Sequence, residues 1–206
     1  MIDLSLYLVA SLGKNTVANF LNIVENAIKG GVSVVQLREK NLNSREFYTL
    51  ALALKALCDE LKTPLIINDR LDIALAVNAT GVHLGQEDLP ISLARKILGE
   101  DKIIGLSAKT PLELENCDGA DYVGCGAVFE SPTKDSSVIG VAGLKALCEK
   151  SPLPVVAIGG INEGNVCELK GCKIVGIAVS SAIMRAKNPL LTSKNLKKEF
   201  DKFSKG

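Results

Sequence analysis

The stretch Pro64–Asp88 reads PLIINDRLDIALAVNATGVHLGQED. It holds two short apolar runs, Pro64-Leu65-Ile66-Ile67 and Gly81-Val82-His83-Leu84. Asn68-Asp69-Arg70 follows the first run, and Gly85-Gln86-Glu87-Asp88 follows the second. Short apolar runs with polar residues crowded at their C-terminal ends are the pattern of parallel strands buried on both faces. Leu71–Val77 supplies the short helix that a parallel crossover needs. If consecutive parallel strands bring Asp69 and Asp88 to one face, the two carboxylates converge where a divalent cation can sit. Mg²⁺ is held by one or two carboxylates together with substrate phosphate oxygens, so the pair points to phosphate chemistry.

Outward from this unit, strand and helix patterns alternate along the whole chain. Strands are expected at Leu4–Ala10, Val32–Leu37, Pro64–Asn68, Gly81–Leu84, Lys102–Leu106, Asp121–Gly124, Val155–Ile158 and Ile174–Val179. Helices are expected at Thr16–Lys29, Ser44–Leu61 with Ser44 as N-cap, Leu71–Val77, Pro90–Leu98, Pro111–Cys117, Gly143–Lys150, Glu163–Leu169 and around Asn188–Phe203. Eight repeats favour a closed α/β (β/α)₈ TIM barrel over an open doubly wound sheet. No G-x-G-x-x-G follows the first strand to support a dinucleotide fold. With 206 residues the chain is lean for such a barrel, and residues 1–206 read as one domain. Its long polar connection, Ala127–Gly140, therefore invites a functional reading.

Composition narrows the classes. Lys and Arg number 24 against 23 Asp and Glu, so no basic field suggests nucleic acid. No apolar stretch approaches the ~18 residues of a membrane span, and the N-terminus lacks a secretory signal pattern. The six cysteines lack C-x-x-C spacing, which argues for a reduced, cytoplasmic protein over a zinc or disulfide one.

In a barrel the strand C-termini carry function. Alternation after strand two sends Gln36, Arg38 and Lys40 to one side, a set suited to a polyanion, or else a solvated charged edge. Asp69 and Asp88 are metal ligands or helix caps. Ser107 is a rim hydroxyl or a turn serine. The long loop presents Ser131, Thr133 and Lys134. Gly159-Gly160 lets backbone N–H groups approach a ligand, and Ser180-Ser181 opens a short extra helix. The loops after strands seven and eight, with that helix, make a phosphate site, or else the glycine pair is merely structural. His83, the single histidine, reads as a packed or rim residue rather than a general base, and no nucleophile–base set suggests triad hydrolysis.

The ordered motifs QLREK, INDR, GVHLGQED, GLSA, ADYVGCG, SPTK, AIGGI and SSAI, from about residue 32 to 184, resemble the thiamine-phosphate synthase family. The resemblance implies a barrel that joins hydroxymethylpyrimidine diphosphate to thiazole phosphate and releases diphosphate. It implies that Gln36, Arg38, Lys40, Asn68, Ser107 and Lys134 bind the pyrimidine diphosphate. Ser131, Thr133, Gly160, Ser180 and Ser181 would bind the thiazole phosphate, and Asp69 and Asp88 would hold Mg²⁺. Arg38 and Lys134 would stabilise the departing diphosphate, and the long loop would close as a lid. Ser131 stands where the family usually has threonine, and Lys109 where it often has histidine. Partners are then small-molecule substrates, with neither nucleic acid nor membrane, and the sequence leaves a homo-oligomer open. Two rivals remain: thiazole tautomerase, an isomerase of the same superfamily, and a non-catalytic ligand-sensing barrel. Asp88, together with Lys109 in place of histidine, favours the synthase.

Overall fold

The structure is a computed structural model that describes residues 2–131 and 137–204. Eight strands close into an all-parallel barrel in chain order: β1 Leu6–Ala10, β2 Val34–Leu37, β3 Leu65–Asn68, β4 Gly81–Leu84, β5 Ile103–Ala108, β6 Tyr122–Cys125, β7 Val155–Ile158 and β8 Gly176–Val179. Closure comes from β1 pairing with β8, with Leu6 opposite Ile177 and Leu8 opposite Val179. Closure also removes every sheet edge, so these four- to six-residue strands need no protection against intermolecular pairing.

Alternation along each strand sorts the side chains into two cores. Leu4, Tyr7, Val9, Val34, Ile66, Tyr122, Val156 and Ala178 meet inside the barrel. Leu6, Leu8, Val35, Leu37, Ile67, Val82 and Leu84 face outward, into the larger core beneath the helices. Those helices are α1 Val17–Lys29, α2 Ser44–Glu60, α3 Leu71–Ala76, α4 Ile91–Leu98, α5 Pro111–Leu114, α6 Gly140–Lys150, α7 Ser181–Met184 and α8 Pro189–Ser204. Because the inward parity continues past the strand ends, the residues just beyond β2, β3 and β4 rise into the barrel mouth.

Several expected boundaries shift for local reasons. Asn43, not Ser44, caps α2: its Oδ1 accepts from the Glu46 N–H and Glu46 returns the bond to the Asn43 N–H, a full capping box. The Ser44 hydroxyl instead accepts from the Arg70 guanidinium at 2.9 Å. The helix expected at Glu163–Leu169 is a single 3₁₀ turn at Val166–Leu169. Asn162 and Asn165 take up the preceding residues in side-chain turns, with Asn162 Oδ1 accepting from Gly164 N and Asn165 Oδ1 from Asn162 N. α6 begins three residues earlier than Gly143, at Gly140 with φ +68°. β5 runs on through Ser107 to Ala108, paired with Gly124 and Cys125, which holds the Ser107 side chain on a rigid strand rather than on a turn.

Candidate active site at the barrel mouth

Asp69 follows β3 in the left-handed region, φ +61°. Its N–H donates to the His83 carbonyl at 2.9 Å, and the Arg70 N–H reaches back to the Asn68 carbonyl at 2.7 Å. This tight three-residue turn swings the Asp69 carboxylate over the mouth. Lys40 Nζ donates to Asp69 Oδ2 in an ion pair. Asp88 sits in the loop after β4, and its Oδ2 accepts from the Gly85 N–H at 2.7 Å. Burial raises its carboxyl pKa above the ordinary value; the neighbouring Asp69 raises it further, against the Gly85 N–H and Lys40. Two carboxylates thus share one small space beside one lysine.

Neither carboxylate caps a helix. Arg70 occupies the N-cap position of α3 and Pro90 that of α4, and neither helix has a side-chain cap bond. The positions of Asp69 and Asp88 therefore need another explanation than helix start chemistry.

Below the carboxylates a buried polar chain crosses the interior. Gln36 Nε2 donates to Tyr7 Oη at 2.9 Å. Tyr7 Oη and Tyr122 Oη are 2.7 Å apart, and Tyr122 Oη lies 3.0 Å from His83 Nδ1. His83 Nε2 then meets Ser107 Oγ at 2.9 Å. Burial pushes the His83 imidazole down to about 4, partly offset by Asp69, and raises both tyrosine hydroxyls. The histidine is thus neutral and hydrogen-bonded at both nitrogens. Register explains how β4 reaches β6: His83, Gly105 and Tyr122 are level across β4, β5 and β6, and the glycine leaves the gap in which the rings meet.

Asn68 is buried at the end of β3, opposite His83. Arg38 lies half-buried just past β2, its N–H on the Ala10 carbonyl at 2.9 Å. Gly159 and Gly160 have φ +106° and +64°, and each meets the chain that leaves β6. A Cβ on Gly159 would lie 2.4 Å from Ala127 Cα, and one on Gly160 would lie 2.2 Å from the Glu130 carbonyl oxygen. Backbone packing alone therefore requires both glycines. Ser180 and Ser181 are half-buried at the start of the four-residue helix α7. Ser131 is half-buried at the end of the described part of its loop. Thr133 and Lys134 lie outside the described residues.

The chain thus brings Lys40, Asp69 and Asp88 together above an interior line from Gln36 to Ser107. Tyr7 and Tyr122 were not among the sequence candidates. Their signal was available: a tyrosine in a wholly buried strand must find a partner for its hydroxyl. Lys109, where the resemblance implies that histidine is frequent, gives its backbone N–H to the Glu113 carboxylate.

Comparisons with known proteins show the family. Residues 6–183 match the family model described as thiamine monophosphate synthase. A thiamine-phosphate synthase of Campylobacter jejuni subsp. jejuni is 57% identical over 198 residues, covering 96% of this chain and 94% of its own. One from Methanobrevibacter smithii is 50% identical over 202 residues, with 97% and 96% covered. Among solved structures, a thiamine phosphate pyrophosphorylase from Pyrococcus furiosus superposes with TM-score 0.87 at 38% identity, over 98% of this chain and 97% of that one. The (S)-3-O-geranylgeranylglyceryl phosphate synthase of Thermoplasma acidophilum, at TM-score 0.74 and 14% identity, shares the fold alone. With a family match across most of its length and close relatives over nearly all of it, the chain belongs to the thiamine-phosphate synthase family.

Proposed function

We propose that the chain joins hydroxymethylpyrimidine diphosphate to thiazole phosphate, as a transferase that forms thiamine phosphate and releases diphosphate. The observation that carries this reading is the convergence of Asp69, Asp88 and Lys40 at the mouth, directly over the polar line that ends at Gln36 and Ser107. Neither rival is favoured: the relatives above are named as synthases, and Asp88 is retained.

The donor set suits Mg²⁺. Asp69 and Asp88 offer hard carboxylate oxygens in a space where their charges oppose each other, so a divalent cation offsets that repulsion. Among the described residues no group of three or more His, Cys, Asp or Glu is arranged to hold a metal. The remaining ligands would be diphosphate oxygens and water, the usual habit of this ion. When bound, Mg²⁺ supplies neutralisation of the charge that builds on the departing diphosphate.

The protein's own residues do the rest. Arg38 and Lys40 bind the diphosphate, Arg38 as a bidentate donor and Lys40 as a point charge. Gln36, Asn68 and Ser107 hold the aminopyrimidine in the mouth. As the C–O bond to diphosphate breaks, the electron-rich ring delocalises the positive charge on its methylene, and the thiazole nitrogen attacks that carbon. Alignment and leaving-group electrostatics dominate, and no strong base is needed. This accords with a buried, neutral His83. Ser131, Thr133, Gly160, Ser180 and Ser181 hold the thiazole phosphate, and Lys134 neutralises diphosphate from the loop after β6. Two residues of these sets, Thr133 and Lys134, lie outside the described residues, and their roles rest on the family resemblance.

The direct test is incubation with both phosphorylated precursors and Mg²⁺, with chromatographic detection of thiamine phosphate. Folded protein that forms none, under conditions where the Campylobacter jejuni relative does, would defeat the reading. Arg38→Ala and Lys40→Ala should each weaken pyrimidine diphosphate binding by ~10-fold or more, as loss of a charge-assisted contact implies. Thiazole phosphate binding should change far less. Equal weakening of both ligands in calorimetric titrations would mean the two phosphate sites are assigned wrongly. Shortening Ser131–Ser137 should raise the share of pyrimidine lost to water, because an open mouth admits a competing nucleophile. An unchanged ratio of hydrolysed pyrimidine to thiamine phosphate would remove the lid role.

A further inference from the structure

Only one order gives every buried hydrogen of the line from Gln36 to Ser107 an acceptor within it. The Gln36 side-chain nitrogen bears hydrogens and no acceptor lone pair, so it is the donor to Tyr7 Oη at 2.9 Å. The single Tyr7 hydroxyl hydrogen then goes to Tyr122 Oη, 2.7 Å away. The single Tyr122 hydrogen goes on to His83 Nδ1 at 3.0 Å, which must receive it with a lone pair. A neutral imidazole with an acceptor at Nδ1 carries its hydrogen at Nε2. That hydrogen is directed at Ser107 Oγ, 2.9 Å away. Ser107 is then the acceptor from the protein, and its own O–H is left for whatever occupies the mouth.

We propose that this chain is directional, that Tyr7 and Tyr122 are positioning residues which hold His83 as the Nε2–H tautomer, and that Ser107 is thereby presented to the pyrimidine as a hydrogen-bond donor. The second half rests on the reading that Ser107 faces the pyrimidine.

The surrounding strands are built to leave this path clear. Gly105 lies between His83 and Tyr122 in register, and a Cβ there would stand 2.2 Å from Tyr122 Cζ and 2.5 Å from His83 Nδ1. A Cβ on Gly124 would sit 3.2 Å from His83 Cε1. The five-residue chain is buried up to its last bond, where Ser107 is half-buried, so no bulk water competes for the inner hydrogens.

The consequence is a choice between an amino- and an oxo-pyrimidine. An aminopyrimidine has bare ring nitrogens that accept a hydrogen bond, and an exocyclic NH₂ that donates. The corresponding oxo-pyrimidine carries N–H on the adjacent ring nitrogen and a carbonyl outside the ring. Ser107 gives its one hydrogen to a bare ring nitrogen of the first; facing a ring N–H in the second it has only its remaining lone pair to offer, and its own hydrogen loses that acceptor. The amino compound should therefore be preferred on the order of 10²-fold in kcat/KM, the effect of leaving one buried polar group unpaired.

The tautomer can be read directly, because the chain has one histidine and an imidazole ¹⁵N label reports His83 alone. Wild-type protein should show a pyridine-like Nδ1 and a pyrrole-like, hydrogen-bearing Nε2. A hydrogen on Nδ1, or on both nitrogens, would overturn the direction of the chain. Tyr122→Phe removes the donor to Nδ1 and should give mixed tautomers. It should lower kcat/KM for the pyrimidine diphosphate at least ~10-fold while moving the thiazole phosphate KM less than about two-fold. Adding Ser107→Ala to Tyr122→Phe should then cost little more than Ser107→Ala alone, since Tyr122 acts through Ser107. Losses that multiply would show that Tyr122 merely fills the barrel. If Tyr122→Phe does not fold, the wild-type spectrum still decides the direction. If Ser107→Ala alone leaves pyrimidine kinetics unchanged, the contact with the pyrimidine is wrong whatever the tautomer.

Discussion

Asp69→Asn and Asp88→Asn should each abolish most thiamine phosphate formation, by ~10³-fold or more, while the thermal midpoint stays within about 3 °C of wild type. The reason is that, on the proposed function, both carboxylates serve charge at the mouth, while neither caps a helix. Asp69 sits at φ +61°, a region that asparagine tolerates as well as aspartate, so the turn survives the substitution. What is lost there is an ion pair to Lys40, whose side chain is 52% exposed, and exposed pairs contribute about 0–1 kcal/mol. In Asp88→Asn the new amide keeps an oxygen to accept the Gly85 N–H, and the change removes a charge that stands against Asp69. The midpoint of Asp88→Asn should therefore hold or rise. Activity should fall because an amide is a far weaker ligand for a hard divalent ion. The check is thermal unfolding beside turnover, with Mg²⁺ and diphosphate added. The ligands should raise the wild-type midpoint and leave either variant unmoved. A variant that unfolds readily but keeps its specific activity when folded would return the carboxylates to a structural role.

Gly176→Ala should be among the most damaging single methyls in the fold. Gly176 opens β8, the strand that seals the barrel against β1. A Cβ there would lie 1.8 Å from the Leu4 carbonyl oxygen and 2.6 Å from its carbon. Both atoms are backbone, so no rotamer change relieves the clash; the chain entering β1 must move instead. Overpacking of this kind costs about 3 kcal/mol, which for a chain of this size is a fall of roughly 10 °C in midpoint. Gly171→Ala is the comparison: its φ of +83° strains an alanine, but nothing stands within 4 Å of the new Cβ. Its loss should stay near ~1 kcal/mol. Equal midpoints for the two variants would show that the β1–β8 seam yields without cost.

What was legible in the sequence was whatever a short window encodes. Apolar runs of four or five residues, each ending in polar residues and followed by a helix period, mark parallel strands and their crossovers without reference to the rest of the chain. Eight of them in order leave few topologies, and the closed barrel is the one observed. The same local rule placed Asp69, Asp88, Gln36, Arg38 and Lys40 at strand ends. Where windows contained competing local chemistry, the boundaries slipped. Asn43 outcompeted Ser44 because Glu46 stands at the spacing that completes a capping box with Asn43. Side-chain turns at Asn162 and Asn165 left room for only a 3₁₀ turn where helix was expected.

Tertiary structure alone decided which residues meet across the interior. Tyr7 and Tyr122 are 115 positions apart, and nothing local to either strand names the other as its partner. Their contact follows from closure and stagger, which set the height of each strand in the barrel. The same holds for the glycine that lets His83 reach Tyr122 past β5. Tertiary structure also separates two explanations of Asp69 and Asp88 that are identical in sequence. A cap and a carboxylate over the mouth look alike until α3 and α4 are seen to start without a side-chain cap bond. Periodicity determines which face a side chain takes, because it repeats every two residues. Only the closed barrel determines what that face looks at, because the answer lies on a strand half the chain away.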